Sequence, residues 1–157
     1  MTEVLNLGAG NRIVEGAINH DRRKHRPEID VAWDLNRLPW PWKDGDFQHV
    51  RAMSVLEHLD VDLLTSLNEC WRILAPGGTL HIRLPYWRHE TCWRDPTHRR
   101  GYTMETFDIF DPTTQVGRDY GFYTPHKWHI VEKQYIHRAD DTSSIASSLE
   151  AVMEKVV

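Results

Sequence analysis

The first half of the chain consists of short apolar segments separated by turn-forming residues. Val4, Leu5 and Leu7 form the first of these segments, and four similar segments follow before residue 85. Short apolar segments bounded by glycine, proline, asparagine and aspartate are typical of buried β-strands. The pattern therefore predicts strands at residues 3–7, 17–20, 29–33, 47–53 and 79–84.

Residues 60–74 follow a different spacing, with apolar residues three and four positions apart. This is the period of an amphipathic helix, and its apolar positions are Leu63, Leu64, Leu67, Trp71 and Leu74. Asp60 or Asp62 is expected to cap the first turn, and residues 75–78 end the helix. Only about nine residues link the turn after the first strand to the second strand, too few for a full crossover helix. We therefore predict an α/β fold of Rossmann-like type, with a mostly parallel sheet and reduced helices between the first strands.

The second half of the chain has a weaker pattern. Residues 85–101 are polar, aromatic and predicted to be irregular, and residues 104–110 are predicted to form a short helix. Alternation over residues 128–136 predicts a strand, which we expect to pair with a short strand at 120–123. Residues 142–157 are predicted to be a final helix, because apolar positions recur there at helical spacing: Ile145, Leu149, Val152, Met153 and Val156.

Length and composition are those of an ordinary globular protein. The 157 residues fit one domain, residues 1–157, and 40% of them are apolar. A net charge of −4 argues against general binding of nucleic acid, and we interpret the basic residues 22–26 as a solvated loop. The sequence shows neither a membrane span nor a signal peptide, and Cys70 and Cys92 are expected to be reduced thiols. These features predict a cytoplasmic protein.

Polar groups follow the first three predicted strands. Gly8 and Gly10 form a tight turn after the first strand, while Asp21 and Asp34 end the second and third. Parallel strands bring such residues to one edge of the sheet, where open α/β folds bind ligands. Backbone N–H groups of the turn are expected to face the ligand. A dinucleotide site would need a third glycine where Ile13 stands and a later acid, so a nucleoside without phosphates fits better.

Several segments together resemble the class I S-adenosylmethionine-dependent methyltransferases, in particular the small subgroup called type 11. The similar segments are residues 5–10, 16–21, 34–35, 38–40, 55–59 and 72–78. The resemblance implies S-adenosylmethionine as cofactor, bound by a half of the domain spanning about residues 3–84, with a substrate-facing segment at about 85–129. It implies these cofactor-binding residues: Gly8, Ala9, Gly10, Asp21, Asp34, Leu35, Ser54 and Val55. Asn6 and Asn11 depart from the pattern, where many relatives have an acid and a glycine.

Methyl transfer from a sulfonium needs positioning and, for some acceptors, a base. We predict a methyltransferase acting on a small molecule, with His58, His89, Asp95 and His98 as candidate bases. The histidines have structural interpretations as well: His58 as a cap or packing residue, and His89 and His98 as loop residues. We assign no metal site.

Two other functions remain open at this point. One is a metal-dependent hydrolase using His89, Asp95 and His98, although their spacing matches no established ligand motif. The other is a cofactor-binding module without catalysis. A homodimer is possible, because missing helices would leave one face of the sheet poorly covered.

Overall fold

Seven strands of the protein join one sheet. A computed structural model describes residues 3–157 and gives the strand order β3-β2-β1-β4-β5-β7-β6. The strands are β1 Val4–Leu7, β2 Ile18–Asp21, β3 Val31–Ala32, β4 Phe47–Met53, β5 Leu74–Pro85, β6 Lys127–Ile136 and β7 Ser148–Val156. Strands β1 to β5 pair in parallel, whereas β7 runs antiparallel to both β5 and β6. Met1 and Thr2, where the predicted domain begins, lie outside the described residues.

The connections between the first strands are short, as predicted. Turns and loops alone link β1 to β2 and β2 to β3 in the part of the chain that the structure describes. The predicted amphipathic helix is α1, Leu63–Ile73, and Asp62 caps it by accepting a hydrogen bond from the Thr65 amide at 2.7 Å. The Rossmann-like α/β fold is therefore confirmed. Within residues 3–157 we find no helix with the length and hydrophobicity needed to cross a bilayer.

The apolar core lies against one face of the sheet. Strand register aligns Leu5 with Val50 and Leu80 on this face, and all three are buried. Helix α1 adds Leu67 and Ile73. Three tryptophans (Trp40, Trp42 and Trp128) are also buried in this core. The large area of each indole increases the apolar burial of a core that has few helices.

The predicted C-terminal helix is wrong. Residues Ser148–Val156 form β7, which occupies the space between β5 and β6. Leu149, Ala151 and Met153 are buried and alternate along the strand, so this segment satisfies the period of two as well as the helical period. The edge of β5 that β4 does not cover favours a strand over a helix in this segment. Pairing at that edge satisfies the backbone hydrogen-bonding groups of both β5 and β7.

Three smaller predictions also need correction. Strand β6 pairs with β7 and not with residues 120–123, which belong to helix α3, Gln115–Tyr120, and to the 3₁₀ turn Gly121–Tyr123. The irregular segment contains helix α2, Glu90–Trp93. Residues 104–110 form two 3₁₀ turns in place of one α-helix. Short turns of this kind depend on tertiary contacts, because isolated helices of this length are unstable.

The other face of the sheet is polar and largely open to solvent. Alternation along the strands places on it residues that are exposed or half-buried, among them His49, Arg51, Thr79, His81, Arg83, Glu132, Gln134 and Glu154. One face of the sheet is therefore poorly covered by helices, as the sequence predicted. The face carries polar side chains, however, so covering apolar surface gives no reason for a dimer here.

Candidate active site

The glycine turn and the ends of β2, β3 and β4 enclose a crevice at the carboxyl edge of the sheet. Its volume is about 260 Å³. Six of the eight predicted cofactor residues line it: Gly8, Asp21, Asp34, Leu35, Ser54 and Val55. Ala9 and Gly10 belong to the turn but do not form part of the wall.

The backbone N–H groups of the glycine turn bond to the protein itself. The Gly8 amide donates to His20 Nδ1 at 3.3 Å, and the Ala9 amide donates to the His20 carbonyl at 2.8 Å. The Gly10 amide donates to Asp21 Oδ2 at 2.8 Å. The expectation that these N–H groups face a ligand is therefore wrong. The turn shapes the crevice, and strand β2 holds the turn in place.

Close packing and backbone conformation both require glycine at position 8. Gly8 has a φ of +59°, and a Cβ atom there would lie 2.4 Å from Val55 Cγ2. Ser54, next to Val55, is itself held at a φ of +59°. A left-handed conformation at a non-glycine residue is uncommon and concentrates at functional sites. The end of β4 is thus fixed tightly against the turn.

His20 is a site residue that sequence reasoning missed. Its side chain is buried, with Nδ1 accepting from the Gly8 amide and Nε2 bonding to the Trp33 carbonyl at 2.9 Å. Because a carbonyl only accepts, the proton lies on Nε2 and the ring is neutral. Burial lowers the pKa of His20, although the Trp33 carbonyl and Asp21 oppose this shift. His20 therefore connects the glycine turn to the end of β3 as a neutral imidazole.

Both crevice carboxylates keep the capacity to accept further hydrogen bonds. Asp21 Oδ2 accepts from Gly10, and Asp21 Oδ1 accepts from the Arg22 amide at 2.7 Å. Asp34 Oδ1 accepts from the Asn36 amide at 3.0 Å, and Asp34 Oδ2 lies 3.3 Å from the exposed Arg22 guanidinium. Each carboxylate oxygen has two lone pairs, so each can take a second donor.

A second, larger cavity of about 660 Å³ adjoins the crevice. Ser54 and His58 line both spaces, so they form a shared wall. Three of the four candidate bases, His58, Asp95 and His98, line this cavity. The sequence indicated only that His58 follows β4 and that Asp95 and His98 follow β5, which brings all three to the same edge of the sheet.

His89 lies apart from the other three candidates. It is buried, accepts from the Thr91 amide as the cap of α2, and bonds to Asp141 at 2.5 Å. It lines a separate cavity of about 180 Å³ and is not part of the large cavity wall. The structure therefore does not bring His89 together with Asp95 and His98 as the hydrolase alternative requires.

Arginines dominate the charge of the large cavity. Arg83 pairs with Glu150, and Arg138 pairs with Asp140. Arg12 and Arg94 also line the cavity, and within residues 3–157 neither makes an ion pair. These two guanidinium groups are therefore available to bind an anion.

Glu57 is a second residue that sequence reasoning missed, and it lies beside two of the candidate bases. Its carboxylate is 2% exposed, and Oε2 has no hydrogen-bond partner among the described residues. Burial raises the pKa of Glu57 to about 7. The ligand atoms of Glu57, His58 and His98 lie within 4.8 Å of one another. The only signal in the sequence was the adjacent Glu57-His58 pair, because His98 lies 40 positions further along the chain than His58.

Comparison with known proteins agrees with this architecture. The model of a family described as "Methyltransferase domain" matches residues 9–82. An uncharacterized 37.1 kDa protein from a transposon of Streptomyces fradiae is 30% identical over 131 residues, covering 78% of this chain. The chain spans 36% of the length of that relative.

Solved structures share the whole fold at low sequence identity. A chain from the complex of the Haloferax volcanii Trm112 methyltransferase activator with a methyltransferase is 18% identical, with a TM-score of 0.66, covering 98% of this chain and 82% of its own length. A SAM-dependent methyltransferase from Archaeoglobus fulgidus is 17% identical, with a TM-score of 0.60 and coverages of 98% and 86%. One from Methanosarcina mazei is 12% identical, with a TM-score of 0.64 and coverages of 99% and 92%.

The matched segment and the shared fold agree with each other, since the solved structures with this fold include SAM-dependent methyltransferases. Residues 9–82 are therefore similar to a methyltransferase domain, and the described chain has the fold of S-adenosylmethionine-dependent methyltransferases.

Proposed function

We propose that the protein transfers a methyl group from S-adenosylmethionine to a small acceptor that carries an anionic group. The observation that supports this most directly is the shared wall of Ser54 and His58 between the crevice and the large cavity. A donor in the first space and an acceptor in the second would meet at this wall. Holding two reactants in this way can supply roughly 7–11 kcal/mol of the barrier.

The crevice residues fit the nucleoside part of the cofactor. Asp21 has lone pairs left to accept the ribose hydroxyls, and Asp34 and Leu35, which line the same crevice, would contact the adenine ring. At Gly10 the one atom within 4 Å of a Cβ position is the Gly8 carbonyl oxygen, at 4.0 Å, so the turn leaves room beside Gly10. Ser54 and Val55, which lie beside the turn, would contact the cofactor from the end of β4. When bound, the cofactor supplies an activated methyl group on a sulfonium.

The large cavity residues would bind and activate the acceptor. Arg12 and Arg94 would bind its anionic group, because both lack a carboxylate partner in residues 3–157. His58 and His98 would activate the accepting atom through their Nε2 lone pairs, with Asp95 beside them at 4.0 Å from each ring. His89 would act through structure only, by holding the start of α2.

Calorimetry tests the cofactor assignment. S-adenosylhomocysteine is expected to bind the wild-type protein, and Asp21→Ala should weaken it by at least about tenfold, since a charged hydrogen-bonding partner is lost. Asp30→Ala is the matched control, because Asp30 also accepts from the backbone of β2, at 2.8 Å from Asn19 N, without lining the crevice. Equal affinity in all three proteins would contradict the assignment.

Turnover tests the transfer itself. The protein is incubated with S-adenosylmethionine and pools of small carboxylates, phosphates or neutral compounds, and formation of S-adenosylhomocysteine is measured. We expect turnover with an anionic pool and a raised KM in Arg12→Ala and Arg94→Ala, with Arg118→Ala unchanged. Cofactor binding without turnover in any pool would favour the binding-module function.

A further inference from the structure

Three side chains that line the large cavity, Glu57, His58 and His98, have an arrangement that acceptor binding alone does not explain. A buried carboxylate with an unpartnered oxygen is costly, because it gives up water without gaining a donor. Two imidazoles stand next to it, with ring centroids 4.7 Å apart. Within residues 3–157 no guanidinium or ammonium group lies at ion-pair distance from the Glu57 carboxylate, although the more distant Arg12 and Arg83 oppose the rise in its pKa.

Hydrogen bonds fix the same tautomer in both histidines. His98 Nδ1 lies 2.8 Å from the Cys92 carbonyl, which can only accept, so Nδ1 carries the proton. His58 Nδ1 lies 2.5 Å from Thr97 Oγ1, and that hydroxyl donates its own proton to Asp95 at 2.7 Å. Thr97 therefore accepts from His58. Both rings are left with a free lone pair on Nε2.

We propose that Glu57, His58 and His98 bind a divalent first-row transition metal ion. Two imidazole nitrogens and one carboxylate oxygen are a donor set that Zn²⁺, Co²⁺ and Fe²⁺ accept. In metal sites the second ring nitrogen of a ligating histidine donates to a carbonyl or another acceptor, as Nδ1 of both residues does here. Ligand atoms about 2.0–2.2 Å from one ion lie within about 4.4 Å of each other, so binding would draw the three atoms slightly closer.

The position of the ion gives it a function at the shared wall. Three protein ligands leave coordination positions open toward the cavity, where an oxygen or nitrogen of the acceptor could bind. With the ion bound, the Nε2 lone pairs of His58 and His98 are occupied as ligands, so the ion would take over activation from the two histidines. It would lower the pKa of a bound hydroxyl, whose proton would leave to solvent. This role rests on the proposed function, whereas binding of the ion does not.

Titration of the metal-stripped full chain with Zn²⁺ alone, without cofactor, tests the site by calorimetry. Absorption of added Co²⁺ reports the ligand geometry independently. We expect one ion per chain and at least a tenfold loss of affinity in His58→Ala, His98→Ala and Glu57→Gln. Thr97→Val should also weaken binding about tenfold, because it removes the acceptor that orients His58.

Controls distinguish metal binding at this site from nonspecific binding by other histidines, and a loss of affinity from a loss of folding. His129 also lies near a carboxylate, 3.5 Å from Asp111, but outside the cavity, so His129→Ala should bind Zn²⁺ as the wild type does. A cooperative urea unfolding transition like that of the wild type shows that each variant is folded. The proposal is overturned if the wild type binds no ion, or if His129→Ala loses as much affinity as the three ligand variants. Neither result would bear on the cofactor crevice.

Discussion

At the scale of single residues, the glycine turn depends on two side chains that pack or bond against it. Val55 fills the space beside Gly8, and His20 accepts from the Gly8 amide. The sequence identified the glycines, because tight turns after a strand need them. It did not identify His20, because a lone histidine in a strand carries no pattern that shows what its ring contacts.

Gly8→Ala should lower the free energy of unfolding more than Gly16→Ala does. Gly16 has a φ of +78° with nothing within 4 Å of its Cβ position, so alanine there costs only the left-handed conformation, about 1–2 kcal/mol. At Gly8 the overlap with Val55 adds about 1–3 kcal/mol. Urea unfolding of both variants measures the difference. Equal losses would show that Val55 moves aside freely.

Acid should destabilise the protein through His20. Because burial lowers its folded pKa, the unfolded chain binds a proton here more readily, starting below about pH 6.5. The contribution of neutral His20 to the free energy of unfolding is therefore complete above that pH. It decreases as the pH falls toward the pKa that His20 has in the folded protein. We expect urea unfolding at pH 7.5 and 5.5 to show a smaller loss of stability in His20→Gln than in the wild type. Identical losses would mean that His20 does not contribute.

At the scale of elements, the helix and strand predictions were correct where the apolar spacing fits one period only. Helix α1 has three turns of consistent apolar spacing, and its prediction was correct to within a few residues. Residues 142–157 fit two periods, and only the free edge of β5, a partner distant in sequence, selects the strand. The clustering of Glu57 and His98 depends on the same kind of long-range contact, so spacing could not predict it.

Arg72 on α1 holds the irregular segment that connects β3 to β4. Its guanidinium donates to the Trp42 carbonyl at 2.8 Å and to Asp44 at 2.9 Å, and it also bonds to Glu69. Glu69 in turn accepts from the Trp40 amide at 2.6 Å. A planar fork with several donors can satisfy these acceptors together, whereas an ammonium group cannot. This contact takes the place of a regular helix in positioning two core tryptophans.

Arg72→Lys is therefore expected to lower the free energy of unfolding by about 2–3 kcal/mol, although the charge is kept. Arg118→Lys is the matched control, because Arg118 donates to the Thr113 carbonyl just before α3 and to Gln115 on the helix, both at exposed positions. It should change stability by less than about 0.5 kcal/mol. Urea unfolding of both variants tests this. A similar small effect in both would show that charge alone is enough at position 72.

At the scale of the whole molecule, the two faces of the sheet are stabilised by different forces. One face packs apolar side chains, while the open face carries a network centred on Glu150 of β7. Glu150 accepts from Arg83 Nε at 2.6 Å, from His81 at 3.1 Å and from Gln134 at 3.3 Å, so it connects β5, β7 and β6. Burial opposes ionisation, but the bonds from Arg83 and His81 outweigh it and lower the pKa of Glu150.

Glu150→Gln should therefore lower the free energy of unfolding at pH 7 by about 1–3 kcal/mol, because Arg83 and His81 lose a charged acceptor. Because the folded pKa lies below the unfolded one, the contribution is present above about pH 4.5 and is lost as the pH falls through the folded value. The difference between wild type and variant should accordingly shrink in acid. Glu154→Gln, at an exposed position on the same face of β7, should be nearly neutral at both pH values. Urea unfolding at pH 7 and pH 3.5 tests this, and a pH-independent difference for Glu150→Gln would show that packing of the side chain, and not its charge, stabilises the open face.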